Sequence, residues 1–141
     1  MIACILIPGF ELRAALRERP RLATRAAALA PLPGTDPLVG PVTAAAEVAG
    51  VRPGMRLGEA LAMCPSLELV EQDPAEAGQA WEGVIRRLED EGFAVELAGV
   101  GCLYFETRGL ERLYGGVAGV LQRALAAASV ARPGQALVVE G

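Results

Sequence analysis

Residues 95–109 read VELAGVGCLYFETRG. The run LYFET alternates aromatic and β-branched residues with smaller or polar ones, which is a strand pattern. Residues 93–98 and 102–107 therefore read as two strands joined through Gly99 and Gly101. Glycine weakens a strand and often marks a bend or a close backbone approach. The small residues at the head of this hairpin are the feature to explain.

Outward from the hairpin, IACILI at 2–7 is a continuous apolar run stopped by Pro8-Gly9, as in a buried central strand. A short helix is expected from Glu11 to Glu18, ended by Pro20. RAAALA at 25–30 fits helix or strand, and PVTAAAEVAG at 41–50 fits helix or strand plus helix. In MRLGEALAMCP, Leu57, Leu61 and Cys64 line one helical face, and LELV at 67–70 is a short strand. The clearest helix spans 74–91, with Asp73 as N-cap, Pro74 at the first position, and Ala77, Trp81, Val84, Ile85 and Leu88 as its apolar stripe. Trp81 reads as core. A further helix covers about 117 to 128, and Pro133-Gly134 leads into a last strand, QALVVE.

This order implies an α/β (α+β) fold: a mixed β-sheet with helices on it and a small, mostly helical insert. At 141 residues the chain has the size of one ordinary domain, and 52% hydrophobic against 21% charged residues exclude disorder. The net charge of −4 argues against a strong grip on a nucleic-acid backbone, which needs clustered cations. Arg13, Arg17, Arg19, Arg21 and Arg25 form a local basic run that reads as a solvated helix and loop. Cys4, Cys64 and Cys102 have no metal-ligand spacing and suit free thiols in a reducing cytosol. The first apolar run is too short to span a bilayer, so a cytoplasmic protein without membrane contact is expected. With no histidine, Ser-His-Asp and Cys-His catalysis are excluded within the chain.

VRPGMRLGEALAMCPSLELV at 51–70 resembles the fingers-to-palm segment of Y-family, lesion-bypass DNA polymerases, and the match extends over some twenty residues. ACILIPGFELRAALR at 3–17 is similar to that family's first strand and following helix. VELAGVGCLYFETRG is similar to its hairpin, usually of the form VEPLSIDEAYLDVTG, and LERLYGG at 110–116 continues it. The resemblance implies a palm-like domain over 1–11 and 67–141 and a fingers-like subdomain over 12–66. The family's thumb and little-finger domains have no counterpart here.

The family holds two metal ions on carboxylates, and Mg²⁺ demands hard oxygen ligands. On this alignment the metal-binding positions hold Pro8, Gly101 and Cys102. Glu106 lies four residues past Cys102, or roughly 13 Å along a strand, and Glu11 falls in the helix. The family's nucleotide-binding run SYEAR is matched by TAAAE, with Ala44 and Glu47 at the triphosphate positions, and the position that screens the sugar falls on Arg13. A carboxylate facing a triphosphate repels it. These departures resemble the ImuB-like group of the family.

The expectation is accordingly a non-catalytic scaffold of a bacterial translesion assembly: not an enzyme, without cofactor or metal. Its partners, met through a parent protein, would be a sliding clamp, a RecA-like protein and an error-prone replicative-type polymerase, with weak or indirect DNA contact. Alternatives are an active translesion polymerase fragment whose acids are misaligned, and an unrelated α/β protein-interaction domain. Cys102 as nucleophile of another α/β enzyme lacks an evident base; as a small buried residue it simply fills space.

Overall fold

The structure, a computed structural model, describes residues 1–128 and 137–140. The chain divides into two compact units, Met1–Phe10 with Gly78–Gly141, and Glu11–Ala77.

The first unit is built on a four-stranded antiparallel sheet. Its strands are β1 (Ile2–Leu6), β4 (Val95–Leu97), β5 (Cys102–Glu106) and β6 (Leu137–Glu140), in the order β4-β5-β1-β6. The last strand lies within the expected QALVVE; Pro133-Gly134, Gln135 and Ala136 fall outside the described residues. Strand β1 is central, but the expectation that it is buried on both sides is corrected. Ala3 and Ile5 are buried, while Ile2 and Leu6 are 55% and 40% exposed. An antiparallel sheet can leave one face open, and in an all-apolar run no alternation reveals which face that is. Strand β5 repeats the pattern, with Leu103 and Phe105 buried and Tyr104 and Glu106 exposed.

Two helices supply buried side chains to this unit. Helix α4 (Pro74–Asp90) begins in the other unit and carries Trp81, Val84 and Leu88, all buried, along one face. Its start is capped as the sequence predicts: the Asp73 carboxylate accepts from the N–H groups of Ala75 at 3.0 Å and Glu76 at 3.3 Å. Trp81 is core, packed edge-on against Phe10 with ring centroids 5.2 Å apart. After the short α5 (Glu111–Tyr114), helix α6 (Val117–Ala128) buries Val120, Ala124 and Ala128 at four-residue spacing and packs against β1. Phe93 closes the hairpin side, edge-on to Phe105 at 4.9 Å.

In the second unit, β2 (Ala27–Leu29) and β3 (Glu68–Val70) pair in parallel as a separate two-stranded sheet. RAAALA thus resolves as a strand, all three residues of which are buried. The unit also holds most of α1 (Phe10–Leu16), a 3-10 turn at Pro20–Thr24, α2 (Ala44–Val48) and α3 (Leu57–Met63). One apolar cluster joins Ala28, Val39, Ala46, Val51, Ala60, Cys64 and Leu67. A second joins Leu12, Leu22, Ala27, Leu29 and Val70. The inward face of α3 is therefore Leu57, Ala60 and Cys64; the expected Leu61 points outward at 36% exposure. Alanines at the contacts let these short elements approach closely.

Candidate functional site

The open face of the sheet collects the hairpin residues singled out from the sequence. Antiparallel pairing sets Ile2 opposite Glu106, Cys4 opposite Tyr104, and Leu6 opposite Cys102. Tyr104 also lies opposite Glu96 of β4. Because side chains alternate between faces, Cys4, Cys102 and Tyr104 share the open one.

The expected metal positions converge at the ends of β1 and β5. Pro8 is exposed just past β1, Gly101 immediately precedes β5, and Cys102 is the first residue of β5. The Ile7 N–H donates to the Gly101 carbonyl at 2.7 Å, which ties the two strand ends together. Gly101 has φ +87, and a Cβ there would lie 3.0 Å from the Ile7 carbonyl oxygen and 3.1 Å from the Phe10 Cβ. Both the backbone conformation and the space require glycine at this point.

Cys102 is half-buried, not the buried filler expected, and its Sγ lies 3.8 Å from Cys4 Sγ. Partial burial and the neighbouring Cys102 thiol raise the Cys4 thiol above its ordinary range. The Tyr104 phenol is raised too, first by the charge of Cys102 and then by that of Cys4. The donors gathered here are two thiols and a phenol. Mg²⁺ takes hard oxygen ligands in octahedral array, so this set does not fit it.

Glu106 is engaged elsewhere. Its carboxylate accepts from the N-terminal amine and from the Arg108 N–H at 3.2 Å, and the amine holds it below the usual carboxylate range. Among the described residues, no three His, Cys, Asp or Glu side chains gather as a metal cluster.

Arg13, Ala44 and Glu47 belong to the second unit. Arg13 is half-buried on α1; Ala44 and Glu47 are exposed in α2. The Glu47 carbonyl accepts from the Arg52 guanidinium at 2.9 Å. In the same TAAAE run, Thr43 has a structural task that the sequence reading passed over. Its hydroxyl accepts from the N–H groups of Ala27 at 3.0 Å and Ala46 at 3.4 Å, and donates to the Arg25 carbonyl at 2.7 Å. The contact of Cys4 with Cys102 was likewise missed, and the signal that could have found it was the register of β1 on β5.

The family model described as impB/mucB/samB matches residues 5–131, nearly the whole chain. The chain belongs to the impB/mucB/samB family. No curated protein matches it. Among solved structures, this impB/mucB/samB domain is similar to a Y-family DNA polymerase chimera of Dbh and Dpo4. The TM-score is 0.75 at 17% identity, over 90% of this chain and 38% of that one. DinB from Sulfolobus solfataricus aligns at 0.73 and 18%, over 87% and 36% of the two chains. An insertion ternary complex of Dbh DNA polymerase aligns at 0.75 and 16%, over 90% and 38%.

At such identities the likeness shows the fold, an α/β architecture similar to the palm and fingers region of Y-family polymerases. The chain spans less than two fifths of the length of these polymerases. The expectation that the chain is not an enzyme is overturned here. Its family model and all three of these structural neighbours point to Y-family DNA polymerases, which are enzymes, and none of them supports inactivity. Among the described residues, no helix is long and apolar enough to cross a membrane.

Proposed function

We propose that this chain is the palm-and-fingers part of an ImuB-like protein working in translesion DNA synthesis. It serves there as a scaffold within an assembly of sliding clamp, RecA-like protein and error-prone replicative-type polymerase. The family match over residues 5–131 supports the translesion setting. What supports the ImuB-like reading is the sequence alignment, on which Pro8, Gly101 and Cys102 fall at the positions expected for the family's metal-binding acids. The exposed Ala44 and Glu47 of the TAAAE run point the same way. A net charge of −4 favours protein contacts over a tight grip on DNA.

Affinity capture tests the assembly role. The chain, alone and within its parent protein, is presented with purified clamp, RecA-like protein and replicative-type polymerase. Retention of at least one partner by the parent, weakened when residues 1–141 are removed, is the expected result. Unchanged retention without these residues would overturn it. Primer extension with Mg²⁺ or Mn²⁺ on the same preparations measures nucleotide incorporation separately.

A further inference from the structure

The two thiols on the open sheet face stand in a geometry that one reaction suits poorly and another suits well. Cys4 is directly opposite Tyr104, and Cys102 opposite Leu6, so the cysteines are diagonal neighbours. Diagonal residues of an antiparallel pair have Cα atoms about 7–8 Å apart, whereas a disulfide wants roughly 4.4–6.8 Å. Closing a disulfide here would require the strands to shift.

A single ion bridging the two sulfurs needs no such shift. With each sulfur about 2.3 Å from the ion, a tetrahedral or trigonal angle sets the sulfurs roughly 3.8–4.0 Å apart. They stand 3.8 Å apart already. Tyr104, directly opposite Cys4 on the same face, stands beside the pair. Thiolates select soft cations such as Cu(I) and Zn²⁺. Structural Zn²⁺ calls for four protein donors, and among the described residues no third His, Cys, Asp or Glu side chain joins the two thiols. Cu(I) is satisfied by two or three ligands, and this sulfur spacing suits three, with the third position open to a small external ligand. Leu6, directly opposite Cys102, and Ile2 put partly exposed apolar side chains on the same face. Cys64 has no part in this: it is buried in the second unit beside Ser66, Sγ to Oγ 3.6 Å.

We propose that Cys4 and Cys102 bind one Cu(I) per chain as a bidentate dithiolate, with Tyr104 beside the ion. Two S–H bonds give way to two Cu–S bonds, two protons are released, and nothing is oxidised or reduced.

The test is an anaerobic titration of the reduced, full chain with Cu(I) against a chromogenic Cu(I) chelator. One ion per chain is expected. Cys4→Ser and Cys102→Ser should each weaken binding by more than about 100-fold, the upper range for loss of a merely supporting group, and Cys64→Ser should leave it unchanged. Retention of affinity in either of the first two variants, or one ion shared by two chains, would overturn the proposal. A second measurement uses the unmutated chain: saturating Cu(I) should shield Cys4 and Cys102 from alkylation, read by peptide mass mapping. Thiols that stay fully reactive would overturn it as well.

Discussion

Ile7 and Gly101 hold the ends of two strands together, Ile7 donating its N–H to the Gly101 carbonyl at 2.7 Å while its own carbonyl oxygen would stand only 3.0 Å from a Cβ on residue 101. Any L side chain there meets two costs: a left-handed backbone, about 1–2 kcal/mol, and overpacking against Ile7 and Phe10, about 1–3 kcal/mol. Gly101→Ala is therefore expected to lower unfolding stability by about 3 kcal/mol. Gly109 has φ +90 with open space around it, so Gly109→Ala should show only the backbone cost. Urea unfolding of the two variants separates the terms, and equal losses would remove the close-approach argument. Gly101→Asp should be at least as destabilising as Gly101→Ala, for the same two reasons.

Thr43 is buried and satisfies three backbone groups through one hydroxyl. Thr43→Val keeps the shape but leaves the Ala27 and Ala46 N–H groups and the Arg25 carbonyl without this partner. A buried group left unsatisfied costs about 1–3 kcal/mol, so a loss of about 2 kcal/mol is expected. Thr43→Ser should recover most of it. Thermal melts of the three proteins are the measurement, and a neutral Thr43→Val would mean that water replaces the hydroxyl.

The Glu106 carboxylate is held below its usual range by the N-terminal amine and the Arg108 N–H. A carboxyl depressed in the folded state contributes stability above its unfolded pKa, near 4.3. That contribution is lost as pH falls through the lower folded value. Glu106→Gln should therefore melt slightly below the parent at neutral pH and converge with it in acid. The group is exposed, so the gap should be small and should shrink further in high salt. A gap that persists below the titration range would assign the effect to packing.

How much of this could be read from residues alone depends on the range of the interaction involved. Helices α4 and α6 were legible because caps and stripes are local: Asp73-Pro74 starts one, and Val120, Ala124 and Ala128 line the other. Strand β2 was not, since AAL carries neither period, and only its parallel pairing with β3 some forty residues later fixes it. Leu61 was misjudged because helical spacing allows position 60 or 61 to face inward, and packing chose the small Ala60. At the site, the sequence pointed to Pro8, Gly101 and Cys102 by position along the chain. The triangle of Cys4, Cys102 and Tyr104 depends on a register between strands about a hundred residues apart, which no local pattern encodes. The need for glycine at 101 likewise comes from Ile7 and Phe10 across that register.

The same triangle has a measurable consequence in alkali. The Tyr104 phenol is held above its ordinary range chiefly by the charge of Cys102, and then by that of Cys4. Removing that charge with Cys102→Ser should shift the phenol's titration toward lower pH, followed by ultraviolet absorbance. A Tyr114→Phe background isolates the signal, because Tyr104 and Tyr114 are the two tyrosines of the chain. The linked stability effect has a definite sign. A phenol raised in the folded state holds its proton longer than in the unfolded chain, so the fold is progressively disfavoured as pH climbs past the unfolded value, about 10. The parent should accordingly lose more melting temperature across that range than Cys102→Ser. Identical alkaline profiles would mean that Tyr104 turns away from the two sulfurs.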